Sequence, residues 1–370
     1  MITPAINRVA LAAALIVALA HTGHQLDAQA PAANAFHDSH FHLTNYIQEG
    51  ITIEAFLTIM GTRVGRSTLF GIPLQQQWSF GNSGTFAPTY YLHSDAPLYY
   101  YSFTDASIAT AYRALPREQQ TRFDPMITGF NPADMYGVDH IKRVLTTFPG
   151  VFSGIGEFSI HKEFVSAKIS GETASLTNPA LDRILDFAGE SGLAVILHND
   201  IDMPFAQADT EPVYLRQTKD LLKRHPTARI IWAHTGLGRI VHPAEVSAQS
   251  AERSPNHVEI LEGMLTDPAL AHVLFDISWD EVAKYAVSSP EASARVAALF
   301  NRYPDRFLFG TDTVAPASAE PYYRVFDLWA PIWKQLTPEA SRKIRIGNYE
   351  RVFDEARRRV RAWEAAHAAK

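Results

Sequence analysis

The octapeptide FHDSHFHL, residues 36–43, sets His40 and His42 two positions apart. In an extended strand, alternate side chains share one face and their Cα atoms lie roughly 6.5 Å apart, so both imidazoles can reach one metal ion. With 15 histidines in 370 residues, the H-x-H pattern is expected about 0.6 times from composition alone, so the pair gains meaning only from partners elsewhere. Such partners recur where later apolar runs end: Glu157 in FSGIGEFSI, His198 in LAVILHND, His234 in RIIWAHTG and Asp312 in RFLFGTD. All are ligand types for a divalent cation, Zn²⁺ first and Mn²⁺ or Fe²⁺ next. The chain has no cysteine, which excludes thiolate sites and cysteine nucleophiles.

The elements that must carry these residues are strands. Apolar, β-rich runs at 35–43, 68–73, 123–130, 151–158, 193–198, 229–234, 273–277 and 306–310 supply eight candidates. Helix-compatible stretches separate them, with boundary signals at Asn178-Pro179, Glu211-Pro212 and Ser289-Pro290. A doubly wound sheet would show the same alternation, but it usually carries a Gly-rich phosphate loop after its first strand, where DSHFHL stands here. The expected fold is therefore an α/β chain closed as a (β/α)8 TIM barrel, with its site at the C-terminal mouth. Two additions are expected. One is a long aromatic-rich insertion after the first strand, residues 74–103 between the first and third strands, serving as a lid or pocket wall. The other is a charged, amphipathic C-terminal helix, NYERVFDEARRRVRAWEAAHAAK, packed outside the barrel.

Residues 1–30 read as a cleavable signal peptide: Arg8, an apolar stretch from Val9 to Ala20, then small residues around Ala28-Gln29-Ala30. Residues 31–370 are then one barrel domain, periplasmic or secreted, with no stable membrane insertion after cleavage. The formal charge of −6, without a basic block, offers no footprint for nucleic acid and leaves a small-molecule or peptide-like substrate.

In this order, DSHFHL, GIGE, VILHND, WAHTG and FLFGTD resemble the amidohydrolase superfamily, and the last two with IGNYERVFD look most similar to its amidohydrolase-related (family 2) branch. The resemblance spans Phe36 to about Asp354. It implies that His40, His42 and Asp312 hold one divalent ion and that His198 and His234 hold a second. Glu157 would bridge them, at the place where relatives use a carboxylated lysine or a glutamate. Lys162 lies beyond that place, and His161-Lys162 reads as a polar loop.

The implied activity is hydrolysis of an amide, lactone or ester bond, with Asp312 orienting a metal-activated water and taking its proton. The alternative carried by the same branch is a mononuclear, non-oxidative decarboxylase of an aromatic or unsaturated acid, with His234 as its acid. Glu157 favours hydrolysis, because those members lack a fourth-strand carboxylate ligand. A non-catalytic metal-keeping binding protein would not need Asp312 as a proton acceptor. Of the remaining residues, Asn199 and Asp200 read as a turn, and Trp279, near Asp276 and Ser278, as pocket wall or packing. His37 is expected to point away from the site, and His93, His242 and His257 to be surface or loop residues.

Overall fold

Short runs of β-branched and aromatic residues become eight parallel strands hydrogen-bonded in chain order: Phe36–Asp38, Val64–Leu69, Phe123–Ile127, Gly154–Ser159, Ala194–His198, Arg229–Trp232, Leu274–Asp276 and Phe307–Leu308. This computed structural model describes residues 35–45, 49–72, 76–77, 103–163, 165–169, 172–173, 175–203, 212–239 and 256–367. The expected signal peptide and nearly all of the aromatic insertion lie outside the described residues, as do His93 and His242.

The sheet closes on itself. The Ser39 amide donates to the Phe309 carbonyl (3.0 Å) and the Asp312 amide to the His40 carbonyl (2.8 Å). Beyond them Phe41–His42 pairs in parallel with Thr313–Val314, so the first and eighth strands each continue after a short break. The result is a (β/α)8 TIM barrel.

The second strand begins at Val64, earlier than the expected 68–73, because Arg66, Ser67 and Thr68 interrupt its apolar pattern. Those polar groups are satisfied inside the fold, Arg66 by Asp124 at the start of the third strand (2.8 Å). Residues 74–103 therefore follow the second strand and not the first.

Helix boundaries mostly obey local chemistry. Asn178 caps Pro179–Ser191 through the Ala180 amide (2.9 Å), and Gly192 ends it in the left-handed region at φ 84°. Ser289 caps Pro290–Arg302 in the same way (3.0 Å). Leu215–Arg224 starts three residues after Pro212 and has no side-chain cap. Asn348–His367 does not join the outer ring. Its apolar stripe, Tyr349, Val352, Phe353 and Ala356, joins the inward-facing Met126, Ala194, Ile196, Ile231 and Leu308 in one cluster. Arg357 and Arg361 of the same helix bond to Phe123 and Phe152, which lie at or before strand starts. The helix thus closes the barrel floor, a correction that follows from its hydrophobic stripe being continuous with the barrel interior. Among the described residues, no helix is long and apolar enough to cross a membrane.

Candidate metal centre

Strand alternation delivers the first pair. Asp38, His40 and His42 share one face, while Phe41 faces out and stacks on Phe56 at 3.5 Å between centroids. His37 also faces away, with its ring against Tyr349 and Nε2 3.3 Å from Glu350. A bulge aims the fourth-strand carboxylate: pairing with the fifth strand slips between Ile155 and Phe158, opposite Val195 and Leu197. Gly156 sits in that slip, where an added Cβ would lie 2.8 Å from the Phe70 ring. The later ligand types sit on unusual backbone, with His234 at φ 55° and Asp312 at φ 51°. Non-glycine residues hold such conformations only where surrounding contacts over-determine them, a common feature of functional sites.

The six residues singled out above meet at the barrel mouth. His40, His42, Glu157 and Asp312 can bring one ligand atom each within 4.8 Å of one another, as can Glu157, His198 and His234. Asp312 Oδ1 lies 3.1 Å from His42 Nε2 and 3.3 Å from His40 Nε2, and its Oδ2 lies 3.8 Å from His234 Nε2. Glu157 reaches both groups. Its Oε2 is 3.4 Å from His42 Nε2, while Oε1 is 3.3 Å from His234 Nε2 and bonded to His198 Nδ1.

Outer partners decide which imidazole nitrogens face inward. His40 Nδ1–H donates to Asp276 Oδ2 (2.6 Å), and His42 Nδ1–H donates to the Gly71 carbonyl (3.3 Å). Ser278 gives its hydroxyl proton to Asp276 Oδ2 (2.8 Å) and so accepts from His234 Nδ1–H (2.9 Å). All three rings thereby turn an Nε2 lone pair toward Glu157 and Asp312. His40 Nε2 is fully buried with no hydrogen-bond partner in the structure. A buried orphan acceptor facing two carboxylates is what a cation would satisfy, so the donor set fits a divalent metal. His198 differs, since Nδ1 meets Glu157 and Nε2 meets Asp200 Oδ1 at 3.0 Å.

The electrostatics follow from that packing. Burial disfavours ionised Glu157, but Lys162, 3.8 Å away, and then His198 outweigh it and hold the carboxyl well below its usual range. Burial likewise opposes the charge of Asp312, yet His234 and His40 keep it low. With no cation bound, His42 is desolvated, but its contacts with Asp312 and Glu157 lift it to about 9, so a cation taking the Nε2 lone pair must displace a proton there. His234 is pushed down by burial despite Asp312.

Several site residues escaped the sequence reading. Asp200 is not a turn residue alone: it is fully buried, holds His198 and accepts the Glu163 amide. His161–Lys162 is not a polar loop but a short strand paired with Val165–Ile169, and it carries Lys162 to Glu157. Asp276 and Ser278 set two histidine tautomers, while Trp279, expected as pocket wall or packing, lies 5.1 Å from the His234 ring. Their signals were the i, i+2 spacing of His198 to Asp200 and a carboxylate at the end of the seventh strand. His257 is buried, with Nε2 donating to the Thr235 carbonyl (2.9 Å), because its helix packs behind the sixth strand's end.

A sequence model of the amidohydrolase family matches residues 37–354. Comparison with curated proteins gives no match. An amidohydrolase from Burkholderia multivorans with bound zinc aligns at 13% identity and a TM-score of 0.51, over 86% of this chain and 99% of that one. The 2,6-dihydroxybenzoate decarboxylase from Rhizobium aligns at 13% identity and a TM-score of 0.52, over 87% and 99%. These likenesses are to the fold. Together with the family match across the barrel, they place the protein among the enzymes of the amidohydrolase type: the chain belongs to the amidohydrolase family.

Proposed function

We propose that the protein is a metal-dependent hydrolase of an amide, lactone or ester bond in a small-molecule substrate, exported as its N-terminus suggests. The observation that carries this reading is the placement of Glu157, whose two oxygens face the two ligand groups at once. His40, His42 and Asp312 would hold one ion, and His234 with Glu157 and His198 would supply a second position. Zinc, the ion bound by the Burkholderia amidohydrolase, is our first choice. A divalent ion there supplies Lewis acidity that can lower a water's pKa from 15.7 to about 7. The chain's own residues do the rest. Asp312, kept ionised by its histidines, is the proton acceptor that orients water and returns a proton to the leaving group. Trp279 and the buried Lys162 wall the mouth, exclude water and fix Glu157.

One observation favours a second reading. His198 has both nitrogens on carboxylates, which leaves it no lone pair for a second ion and suits a mononuclear lyase with His234 as acid. Metal analysis of the purified protein separates the two. About two ions per chain, with Glu157→Gln losing one and turning over no ester, lactone or amide, supports the hydrolase. One tightly held ion that survives Glu157→Gln, together with carbon dioxide release from an aromatic acid, would establish the lyase.

A further inference from the structure

The opposite end of the barrel holds a second concave site, enclosing about 460 Å³. It lies where the sixth, seventh and eighth strands begin and where the C-terminal helix crosses the floor. Arg229 opens the sixth strand, Arg306 precedes the eighth, and Arg351 and Arg359 come from Asn348–His367. Asp305 is the one carboxylate among the described lining residues, and Lys343 Nζ occupies it at 2.9 Å.

The fold uses part of this donor capacity. Arg306 donates to the carbonyls of Val273 and Leu270 (2.8 Å each), Arg351 to that of Asp305 (2.8 Å) and to Asn348 Oδ1 (3.3 Å), and Arg359 to the carbonyl of Gly189 (2.6 Å). Arg229 pairs with Glu355 at 2.9 Å. A guanidinium has five N–H donors, so these bonds leave a surplus. Arg229 Nη1 is buried without any acceptor in the structure. The guanidiniums also crowd one another: burial, and then the neighbouring positive charge, lowers the proton affinity of Arg306 and Arg351. A floor that only needed fastening would be served by the carbonyl contacts. The remaining excess of forked donors suits paired oxygens of phosphate or carboxylate, and the volume suits a small molecule.

We propose that this cleft binds a small oxyanion with two or more negative charges, phosphate or dicarboxylate in kind, with Arg229 and Arg351 as its main contacts. The ligand takes the guanidinium donors that face the cleft and ties the C-terminal helix to the strand starts. It lies at the end of the barrel away from the metal residues, so the inference stands or falls independently of the reaction proposed above.

The test uses the full-length protein with its metal and titrates inorganic phosphate or succinate by calorimetry and thermal unfolding, against chloride at matched ionic strength. A saturable site with one ligand per chain, a raised Tm, and at least tenfold weaker binding in both Arg229→Gln and Arg351→Gln is expected. The two arms tell a phosphate from a carboxylate preference. Arg351 is exposed, so its variant keeps the test valid if Arg229→Gln unfolds. No saturable response beyond the chloride control would overturn the proposal. So would unchanged affinity in Arg351→Gln, which would place the anion at the mouth instead.

Discussion

The two ends of the barrel handle buried carboxylates in opposite ways. At the floor, Asp124 accepts from two guanidiniums, Arg66 (2.8 Å) and Arg357 (2.6 Å), and from the Tyr349 hydroxyl (2.8 Å). At the mouth, Asp38 meets only neutral donors: the amides of His40 (3.0 Å) and Thr311 (2.8 Å) and the hydroxyls of Thr311 (2.7 Å) and Tyr322 (2.8 Å). Burial accordingly lifts Asp38 to about 6. The mouth also holds Glu157, Asp200, Asp276 and Asp312, with Lys162 the one described lysine or arginine within 4 Å of any of them. The Asp124 carboxylate at the floor is neutralised by the chain's own guanidiniums. The carboxylates at the mouth are faced by histidines instead, in groups that could hold a cation.

The sharpest break of this comparison is to remove the cation. Chelation should abolish turnover and lower Tm, and added Zn²⁺ should restore both; ligand present at about 1,000 times its Kd contributes about 4 kcal/mol to stability. His42→Ala should lose activity by well over the roughly 100-fold expected when only an outer partner of a ligand is lost. Full turnover in chelator-treated protein would remove the metal from the proposal. At the floor the largest effect should be on stability alone. Asp124→Ala takes the buried partner from Arg66 and Arg357, leaving Arg66 on Asp354 and Arg357 on the Phe123 carbonyl, so the loss should approach but not exceed that of a broken buried pair, about 3–5 kcal/mol. Urea unfolding should show that loss while metal content and kcat hold, and a cost below about 1 kcal/mol would mean that solvent replaces the carboxylate.

The same contrast explains what the sequence disclosed. The mouth residues His40, His42, Glu157, His198, His234 and Asp312 were legible because each ends an apolar run, and a barrel puts all such ends on one rim. Asp200 carries the same signal but read as a turn residue, since a polar residue after a strand usually bonds its own backbone, and Asp276 stood out only as a neighbour of Trp279 at the seventh strand's end. Lys162 was hidden because its position depends on a short pairing with Val165–Ile169, which no periodicity announces. The second strand was misplaced because its polar residues are paid for by contacts distant in sequence, Arg66 with Asp124 being the clearest. The role of Asn348–His367 as a floor was unreadable for a related reason: an amphipathic stripe shows that a helix packs, not against which end.

A smaller effect should appear in acid, behind the mouth. Desolvation lowers His257 to about 4, and His161 shifts to about 4 for the same reason. Both stay neutral in the fold while the unfolded chain takes up protons below about 6.5. Stability from this source is therefore whole above pH 6.5 and is lost as pH falls toward 4, on the order of 3 kcal/mol for His257. Urea midpoints measured across that window should fall with decreasing pH in the wild type and fall less steeply in His257→Gln. An identical slope in the variant would show that His257 is protonated in the fold.

The smallest predicted effect tests whether the outer carboxylates of the mouth act through the histidines. Asp276→Asn is nearly isosteric, and its carbonyl can still accept the Ser278 amide now bonded to Oδ1 at 2.8 Å. Its NH₂ would then face His40 Nδ1, where a carboxylate oxygen accepts at 2.6 Å. Two donors cannot share that contact, so His40 would shift its proton to Nε2 and turn a donor toward Glu157 and Asp312. The lone pair that faces the cation would be lost without loss of packing. Metal affinity should fall by roughly 10–100-fold, the range for outer partners of ligating histidines, while Tm of the metal-free protein changes little. Competition with a fluorescent chelator measures the first quantity and a thermal scan the second. If affinity holds and stability falls, Asp276 is a structural carboxylate like Asp124, and the difference drawn between the two ends of the barrel would shrink to the ligands alone.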